Sequence, residues 1–276
     1  MSPTGRPEGE HRSAQRGGNP VTWSLLARAL RHLGAVVLLG CATSQVAAAT
    51  LEVMSAGAVE PGLVPLARAF ERDTGHTVRI SFSTAPVLKQ RLGAGERADV
   101  LIAPPAVVDE AVAAGQVLAD DRRLLGRVGV GVVTRADAPT PDVATTEALK
   151  ASLLAAESLV YNRASTGLYF EKLVERLGLA ESLRAKTVRY PDGAAVLQHL
   201  ARGKGREFGV AAITEIVAYA PNGVRLVGPL PADVQNTTAY TATVLANAPS
   251  GEAARALIAY LTTASAKARF AAAGIE

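Results

Sequence analysis

The chain has 276 residues, of which 49% are hydrophobic and 20% charged, and this composition is that of a globular rather than a disordered protein. Its formal net charge of +4 lies mostly in the first 49 residues, and aromatic residues make up only 4%. Because no basic surface is implied, we expect no nucleic acid among its partners.

Residues 1–49 have the order of a secretory signal. Arg28 and Arg31 precede an apolar run over 33–40, and small residues follow up to Ala49. A positive segment, an apolar segment and an A-x-A sequence together predict an export signal that is cleaved after Ala49. The apolar run is shorter than the roughly 20 residues that span a bilayer, and the alternative is a buried N-terminal helix.

Cys41 is the only cysteine of the chain, and it lies inside this leader. Residues 38–41 loosely resemble a bacterial lipobox. If the lipobox is used, Cys41 carries lipid and anchors the protein; if it is not, the mature chain has no thiol, and neither case allows a disulfide framework. We therefore expect a periplasmic or other extracytoplasmic protein, either free or lipid-anchored. Because the leader is long, the translation start could also lie downstream of Met1.

Strand and helix patterns alternate after the leader. The first unit is a buried strand over 51–54, a turn of small residues over 55–58 and a helix that ends at Gly75. The same alternation continues with strands over 76–82 and 98–103 and with helices over 86–92 and 104–114. Strands that alternate with helices in this way predict a parallel sheet.

Two segments are predicted to cross between two lobes. Residues 125–133 form a long strand rich in Val and Gly that leaves the first lobe, and residues 240–246 form a strand that returns to it. The remaining predicted helices lie at 145–155, 168–177, 194–200, 213–220, 253–261 and 265–273, and the remaining strands at 158–161, 187–190, 208–212 and 224–227. We accordingly place lobe 1 at 50–128 plus 239–276 and lobe 2 at 129–238, and two connections between lobes make a hinge.

Four turns of small and polar residues lie between a predicted strand and a predicted helix, at 55–58, 83–85, 165–167 and 192–194. In open α/β sheets ligands bind beyond the carboxyl ends of the strands, and free amide groups at a helix start favour an anion. Ordinary helix capping is the alternative for any single turn. Four such turns after an export signal indicate one shared site for a small anionic solute.

Charged side chains give weaker signals. Arg163 precedes one of the turns and could form a bidentate pair with a carboxylate or phosphonate, although a solvated surface arginine is an equal alternative. His76 and His199 are isolated from other metal-binding residues, so we predict no metal site. We find no nucleophile elbow, no P-loop and no paired carboxylates for acid–base work. We therefore predict no catalytic residue and no cofactor.

Four segments in order resemble the periplasmic molybdate-binding protein family; they are LEVMSAGAVEPGLVPLARAFERDTGHTVRISF, APVLKQRLGAGERADVLIAP, STGLYFEKLVERLG and REFGVAAITEI. The resemblance covers residues 50–276. It implies the type II periplasmic-binding-protein fold, an α/β fold in which each of two lobes is a mixed sheet flanked by helices and two crossover strands join the lobes. It also implies the substrate-binding component of an ABC importer, with a permease in the inner membrane as its partner.

The resemblance also implies a ligand set. Carried over by position, the family's two ligand serines fall on Ala58 and Ala85 and its ligand tyrosine on Ala212, while its backbone donors fall on Thr166 and Ala194. Three hydroxyl donors are thus absent, each worth about 1.5–3 kcal/mol as a hydrogen bond to a charge. The ligand therefore stays open between a molybdate-like oxyanion and a small organic carboxylate.

From these observations we expect an exported, monomeric solute-binding protein that closes on a small anion and is not an enzyme. The expected ligand-binding residues are Ser55, Gly57, Ala58, Ser83, Thr84, Ala85, Arg163, Ser165, Thr166, Asp192, Gly193, Ala194 and Ala212. The alternatives are an extracytoplasmic ligand sensor and an enzyme on the same fold. Porphobilinogen deaminase, one such enzyme, needs a cysteine that the mature chain lacks.

Overall fold

The fold is described from a computed structural model, which places residues 48–276 as one compact unit. Residues 1–47 of the predicted leader, which include Cys41, lie outside these described residues. Among residues 48–276, no helix is both long enough and apolar enough to cross a membrane.

Strands and helices alternate along most of the described chain. The strands are β1 (Thr50–Ala56), β2 (Thr77–Ser83), β3 (Val100–Ala103), β4 (Arg123–Arg135), β5 (Ser158–Asn162), β6 (Thr187–Tyr190), β7 (Glu207–Ala212), β8 (Val224–Pro229) and β9 (Thr237–Val244). The helices are α1 (Glu60–Thr74), α2 (Ala85–Gly93), α3 (Pro105–Ala113), α4 (Thr146–Ala155), α5 (Ser165–Arg176), α6 (Ala180–Arg184), α7 (Gly193–Arg202), α8 (Ile213–Tyr219), α9 (Gly251–Leu261) and α10 (Ala264–Ala272).

Helix α1 shows how the sequence builds these elements. Leu63, Leu66 and Phe70 recur at helical spacing and are buried against the sheet. Gly75 ends the helix with a φ of 76°, a left-handed conformation that costs glycine little. Directly before α1, a short 3-10 helix over Gly57–Val59 makes the turn out of β1.

The strands of the described residues form a mixed sheet in the order β2-β1-β3-β9-β4-β7-β5-β6, with β8 paired to β4. Strands β1, β2 and β3 are mutually parallel, and so are β5, β6 and β7. Strand β4 is antiparallel to all its partners: its first half pairs with β9 and its second half with β7 and β8. The two-lobed type II periplasmic-binding-protein fold is thereby confirmed, with β4 and β9 as the crossover strands.

The returning strand differs from the prediction at its ends, since β9 covers Thr237–Val244 rather than 240–246. Its first residues pair with Arg127–Gly129 of β4, a contact between distant segments that alternation along β9 cannot reveal. Helix α6 was not predicted, because its five residues are too few to set up a periodic pattern.

Buried side chains gather in separate clusters. The largest draws on β1, β3, β9 and the C-terminal helices and includes Phe70, Leu101 and Phe270. A second lies around Phe170 and Phe208, between α5 and the sheet over β5 and β7. A third, smaller cluster packs α7 against the other face of that sheet. The lobe bounds at 128/129 and 238/239 remain a prediction.

We expect Phe170→Ala to lower the free energy of unfolding by about 3–5 kcal/mol, because the ring is fully buried and would leave a cavity. The ring also packs edge-to-face on Tyr161, with centroids 5.5 Å apart. Urea denaturation measures the change. The matched control is Leu168→Ala on the same helix, whose side chain is 41% exposed and whose loss should cost about 1 kcal/mol or less. Equal losses in the two variants would contradict this packing.

Candidate functional site

A cavity of about 460 Å³ opens where the strands end and the helices begin. It is lined from lobe 1 by the turns after β1 and β2, and from lobe 2 by the turns after β5, β6 and β7. Parallel strands end at a common edge, so the turns that follow them meet there. The predicted residues that line the cavity are Gly57, Ala58, Ser83, Thr84, Ala85, Ser165, Thr166, Asp192, Gly193, Ala194 and Ala212.

Two predicted residues do not line the cavity. Ser55 is fully buried inside β1, where its hydroxyl donates to the carbonyl of Ala56 at 3.2 Å. Arg163 is exposed and lies between Asn162 and Ala164, which do line the cavity. Arg163 itself is not among the residues that line the cavity. The structure therefore leaves both residues outside the cavity wall, and their role in ligand binding stays a prediction.

Free amide groups are the main donors of the cavity wall. The backbone N–H groups of Ala85, Ser165, Thr166, Gly193 and Ala194 find no acceptor within the described residues. Each belongs to the first turn of α2, α5 or α7, where a helix leaves its N–H groups unpaired. Together with the helix dipoles, these groups favour negative charge in the cavity.

Asn162 fixes the start of α5, and sequence reasoning missed it. Its buried side-chain oxygen accepts hydrogen bonds from the amides of Ala164 and Gly167, both at 3.0 Å. A Cβ at Gly167 would lie 1.8 Å from the carbonyl oxygen of Asn162, so no larger residue fits there. Ser165 and Thr166, between the two bonded amides, are left facing the cavity with their N–H groups free.

Side-chain hydroxyls are absent at three positions of the wall. Ala58, Ala85 and Ala212 line the cavity and offer no side-chain donor. Ser83, which lies nearby, already accepts a hydrogen bond from the Arg91 guanidinium at 3.1 Å. No Lys, Arg or His belongs to the part of the cavity wall formed by residues 48–276. An anion bound here would therefore be held by backbone amides and by the hydroxyls of Thr84, Ser165 and Thr166, without a cationic side chain.

Glu215 belongs to the cavity wall and has a strongly perturbed pKa, and sequence reasoning did not select it. It is the third residue of α8, and its two carboxyl oxygens lie against Gly57 of lobe 1 and Gly193 of lobe 2. A Cβ added to Gly193 would come within 2.0 Å of the carboxyl, so the glycine leaves the space that the carboxyl fills. Burial raises the pKa of Glu215 to about 7, with further contributions from Asp192 and Glu60, while the Ala212 amide partly offsets them.

The other acidic groups of the wall have different surroundings. Asp192 caps α7, accepting from the amide of Ala195 at 2.9 Å. Glu60 is exposed at the start of α1, and partial desolvation raises its pKa. Tyr240 on β9 is 4% exposed; burial, and then the charge of Glu215, raise the pKa of its hydroxyl well above the ordinary value. Tyr240 therefore keeps its proton at neutral pH.

A polar residue shortly after a strand end is the one sequence signal that could have selected Asn162 and Glu215. Glu215 follows β7 just as the predicted turns follow their strands. It was overlooked because no partner carboxylate stands near it in the sequence. Tyr240 lies in the middle of the returning strand, and its local sequence carries no such signal.

Residues 51–276 match the family of bacterial extracellular solute-binding proteins. The chain belongs to this family. Its resemblance to the molybdate-binding proteins is also confirmed: the periplasmic molybdate-binding protein of Azotobacter vinelandii has a TM-score of 0.70 and 19% identity, over 82% of this chain and 98% of that chain. The sulfate-binding protein of Mycobacterium tuberculosis H37Rv has a TM-score of 0.67 and 18% identity, over 82% and 86%. At these identities the likeness shows the fold.

One relative of this solute-binding protein is named differently from the structural neighbours above. The aconitate isomerase of a Pseudomonas species is 32% identical over 225 residues, which are 78% of this chain and 82% of that protein. The structural neighbours above are binding proteins for transport, and this relative is named as an enzyme.

We expect the stability of the solute-binding protein to fall as pH rises from about 5 to 8, because ionisation of Glu215 is unfavourable in the folded state. The pKa of Glu215 is raised from 4.5 to about 7, so its contribution is complete below pH 4.5 and is lost as pH passes through 7. Glu215→Gln removes this dependence. The difference in the free energy of unfolding between the wild type and Glu215→Gln should therefore change by up to about 3 kcal/mol over this pH range.

Urea denaturation at several pH values measures this difference. The matched control is Glu252→Gln, an exposed glutamate at the start of α9 that does not line the cavity. Its profile should follow that of the wild type. Parallel profiles for the wild type and Glu215→Gln would show that Glu215 titrates normally.

Proposed function

We propose that this solute-binding protein captures a small organic polycarboxylate outside the cytoplasm and delivers it to an ABC permease of the inner membrane. The observation that carries the proposal is the set of unpaired amides of α2, α5 and α7, which meet in one cavity from both lobes. A ligand with separated carboxylates can place one of them at each helix start, and each helix start favours such a group.

The size of the cavity supports a ligand of this kind. Its volume of about 460 Å³ falls within the range of about 300–1,000 Å³ that is common for organic ligands. A compact tetrahedral oxyanion would depend on the side-chain hydroxyls that Ala58, Ala85 and Ala212 do not provide. The name of the Pseudomonas relative also supports a polycarboxylate as the ligand, because aconitate is a tricarboxylate.

Export and closure belong to the same proposal. The leader over 1–49 would direct the chain out of the cytoplasm, as membership in an extracellular family supports. Strands β4 and β9 connect the two lobes, so a rotation about them would close the cavity on its ligand. The permease could then tell the closed, ligand-bound protein from the open, empty one.

We expect cis-aconitate, trans-aconitate, tricarballylate or citrate to raise the melting temperature of the purified protein, and molybdate and sulfate to leave it unchanged. Binding at a hundredfold excess over Kd adds about 2.7 kcal/mol of stability. Differential scanning fluorimetry with each anion measures the shift, and isothermal titration calorimetry gives its Kd. Stabilisation by molybdate alone would contradict the proposal.

A variant of Ser165 tests the amide donors themselves. Ser165→Pro removes one N–H group at the first position of α5, where proline is tolerated, and breaks no internal hydrogen bond. Affinity should fall about ten- to a hundredfold, the equivalent of one hydrogen bond to a charge. Ser165→Ala keeps the amide and is the matched control, and Arg163→Ala should bind like the wild type. Equal affinity in Ser165→Pro would show that this amide does not contact the ligand.

A second candidate function is isomerisation of the bound polycarboxylate, which would replace our expectation of a protein without catalytic activity. Two observations favour it: the 32% identical relative is named aconitate isomerase, and Glu215 in the wall titrates near neutral pH. A group with such a pKa is suited to proton transfer at that pH.

Incubation with trans-aconitate tests this candidate. If the protein is an isomerase, cis-aconitate should accumulate in proportion to the protein added, and liquid chromatography separates the two acids. The control is the same protein after heat denaturation. Binding of aconitate without conversion would leave solute capture as the function.

A further inference from the structure

We infer that Glu215 is the acid–base residue of this cavity, which takes a proton from a carbon of a bound unsaturated polycarboxylate and returns it to another carbon of the same molecule. The inference rests on the proposed function, since it requires that a polycarboxylate binds here. It goes further in assigning the proton transfer to one residue.

The position of Glu215 carries the inference. Its carboxyl lies between Gly57 and Gly193, which belong to the turns of opposite lobes, at the place where a ligand must contact both. It accepts a hydrogen bond from the backbone amide of Ala212, and within the described part of the chain it accepts none from a side chain. The side chain of the neighbouring Thr214 is already committed, because its hydroxyl donates to the carbonyl of Ala58 at 2.6 Å.

The other acidic groups of the wall are less suited to the role. Asp192 is occupied in capping α7, and Glu60 is exposed at the start of α1. Both face Glu215 closely enough to raise its pKa, as burial does, and no cationic side chain of the described wall opposes them. Tyr240, on β9, keeps its proton. Glu215 is thus the carboxyl that can exchange a proton near neutral pH.

The reaction is balanced without an oxidant or a cofactor. In aconitate, a CH₂ group lies next to a carboxylate and to the carbon–carbon double bond. The Glu215 carboxylate would take a proton from this CH₂, so that the C–H bond breaks, an O–H bond forms, and the electron pair spreads over the three-carbon unit and its carboxylates. The proton then returns to the other end of the unit, the double bond moves, and the cis and trans forms interconvert.

The amides of α2, α5 and α7 would stabilise the delocalised carbanion that forms when the proton leaves the CH₂ group. The negative charge grows on the carboxylates attached to the three-carbon unit, and preorganised N–H groups stabilise charge that develops in a transition state. The donors that would hold the ligand would thereby also lower the activation energy for removing a proton from its carbon. A cavity that binds the ligand would therefore need only one further group for proton transfer, the carboxyl of Glu215.

The test follows aconitate by proton NMR in D₂O with the wild type, Glu215→Gln and Glu215→Asp. We expect the wild type to incorporate deuterium at carbon and to interconvert the isomers. Glu215→Gln should lose at least a hundredfold of the rate while still binding aconitate by calorimetry, and Glu215→Asp should retain part of it. For the wild type, kcat/KM should rise with pH and level off above about 7.

Glu252→Gln, away from the cavity, should exchange at the wild-type rate. Exchange at an undiminished rate in Glu215→Gln would overturn the inference. Binding of aconitate by the wild type without any deuterium incorporation would also overturn it, and would leave the proposed function of solute capture standing. Absence of binding for every polycarboxylate would overturn the proposed function itself.

Discussion

Unpaired backbone amides at the starts of helices are the constraint on which this site depends. A helix leaves its first N–H groups without partners, and the structure directs those of α2, α5 and α7 into one cavity. Water or an anion must satisfy them, because unpaired buried amides are costly. The parallel strands of both lobes end at this cavity, and the arrangement of strands therefore specifies an anion site before any side chain is considered.

The acidic groups around the cavity would repel an anion when they are ionised, and their individual surroundings reduce this repulsion in part. Asp192 directs an oxygen to the amide of Ala195, where it stabilises the helix start. Glu215 is held where its ionisation is unfavourable, so near pH 7 it exists in both protonation states. A protonated carboxyl can donate a hydrogen bond to an anionic ligand, and an ionised one can accept a proton from it. The cavity can thus combine anion binding with proton transfer.

Alanine at three positions of the wall and a carboxyl with a raised pKa characterise the cavity of this protein. Ala58, Ala85 and Ala212 occupy positions where the resemblance to molybdate-binding proteins would place serine or tyrosine. Alanine at these positions offers no side-chain donor to a tetrahedral ion. A longer, flatter ligand with carboxylates at several points can use the amides that remain.

The sequence by itself determined the two-lobed fold, the crossover strands and the turns of small residues that meet at the cavity, because strand and helix periodicity and helix-start chemistry are local properties. Through its resemblance to the molybdate-binding proteins, it also indicated that three hydroxyl donors of that family are missing. The tertiary structure alone decided which side chains face the cavity. Arg163 lies outside the cavity wall, while Glu215 and Tyr240 reach the wall from α8 and β9, elements that are distant in the sequence from the predicted turns. The pKa of Glu215 likewise depends on burial by turns from both lobes, which lie far apart in the sequence.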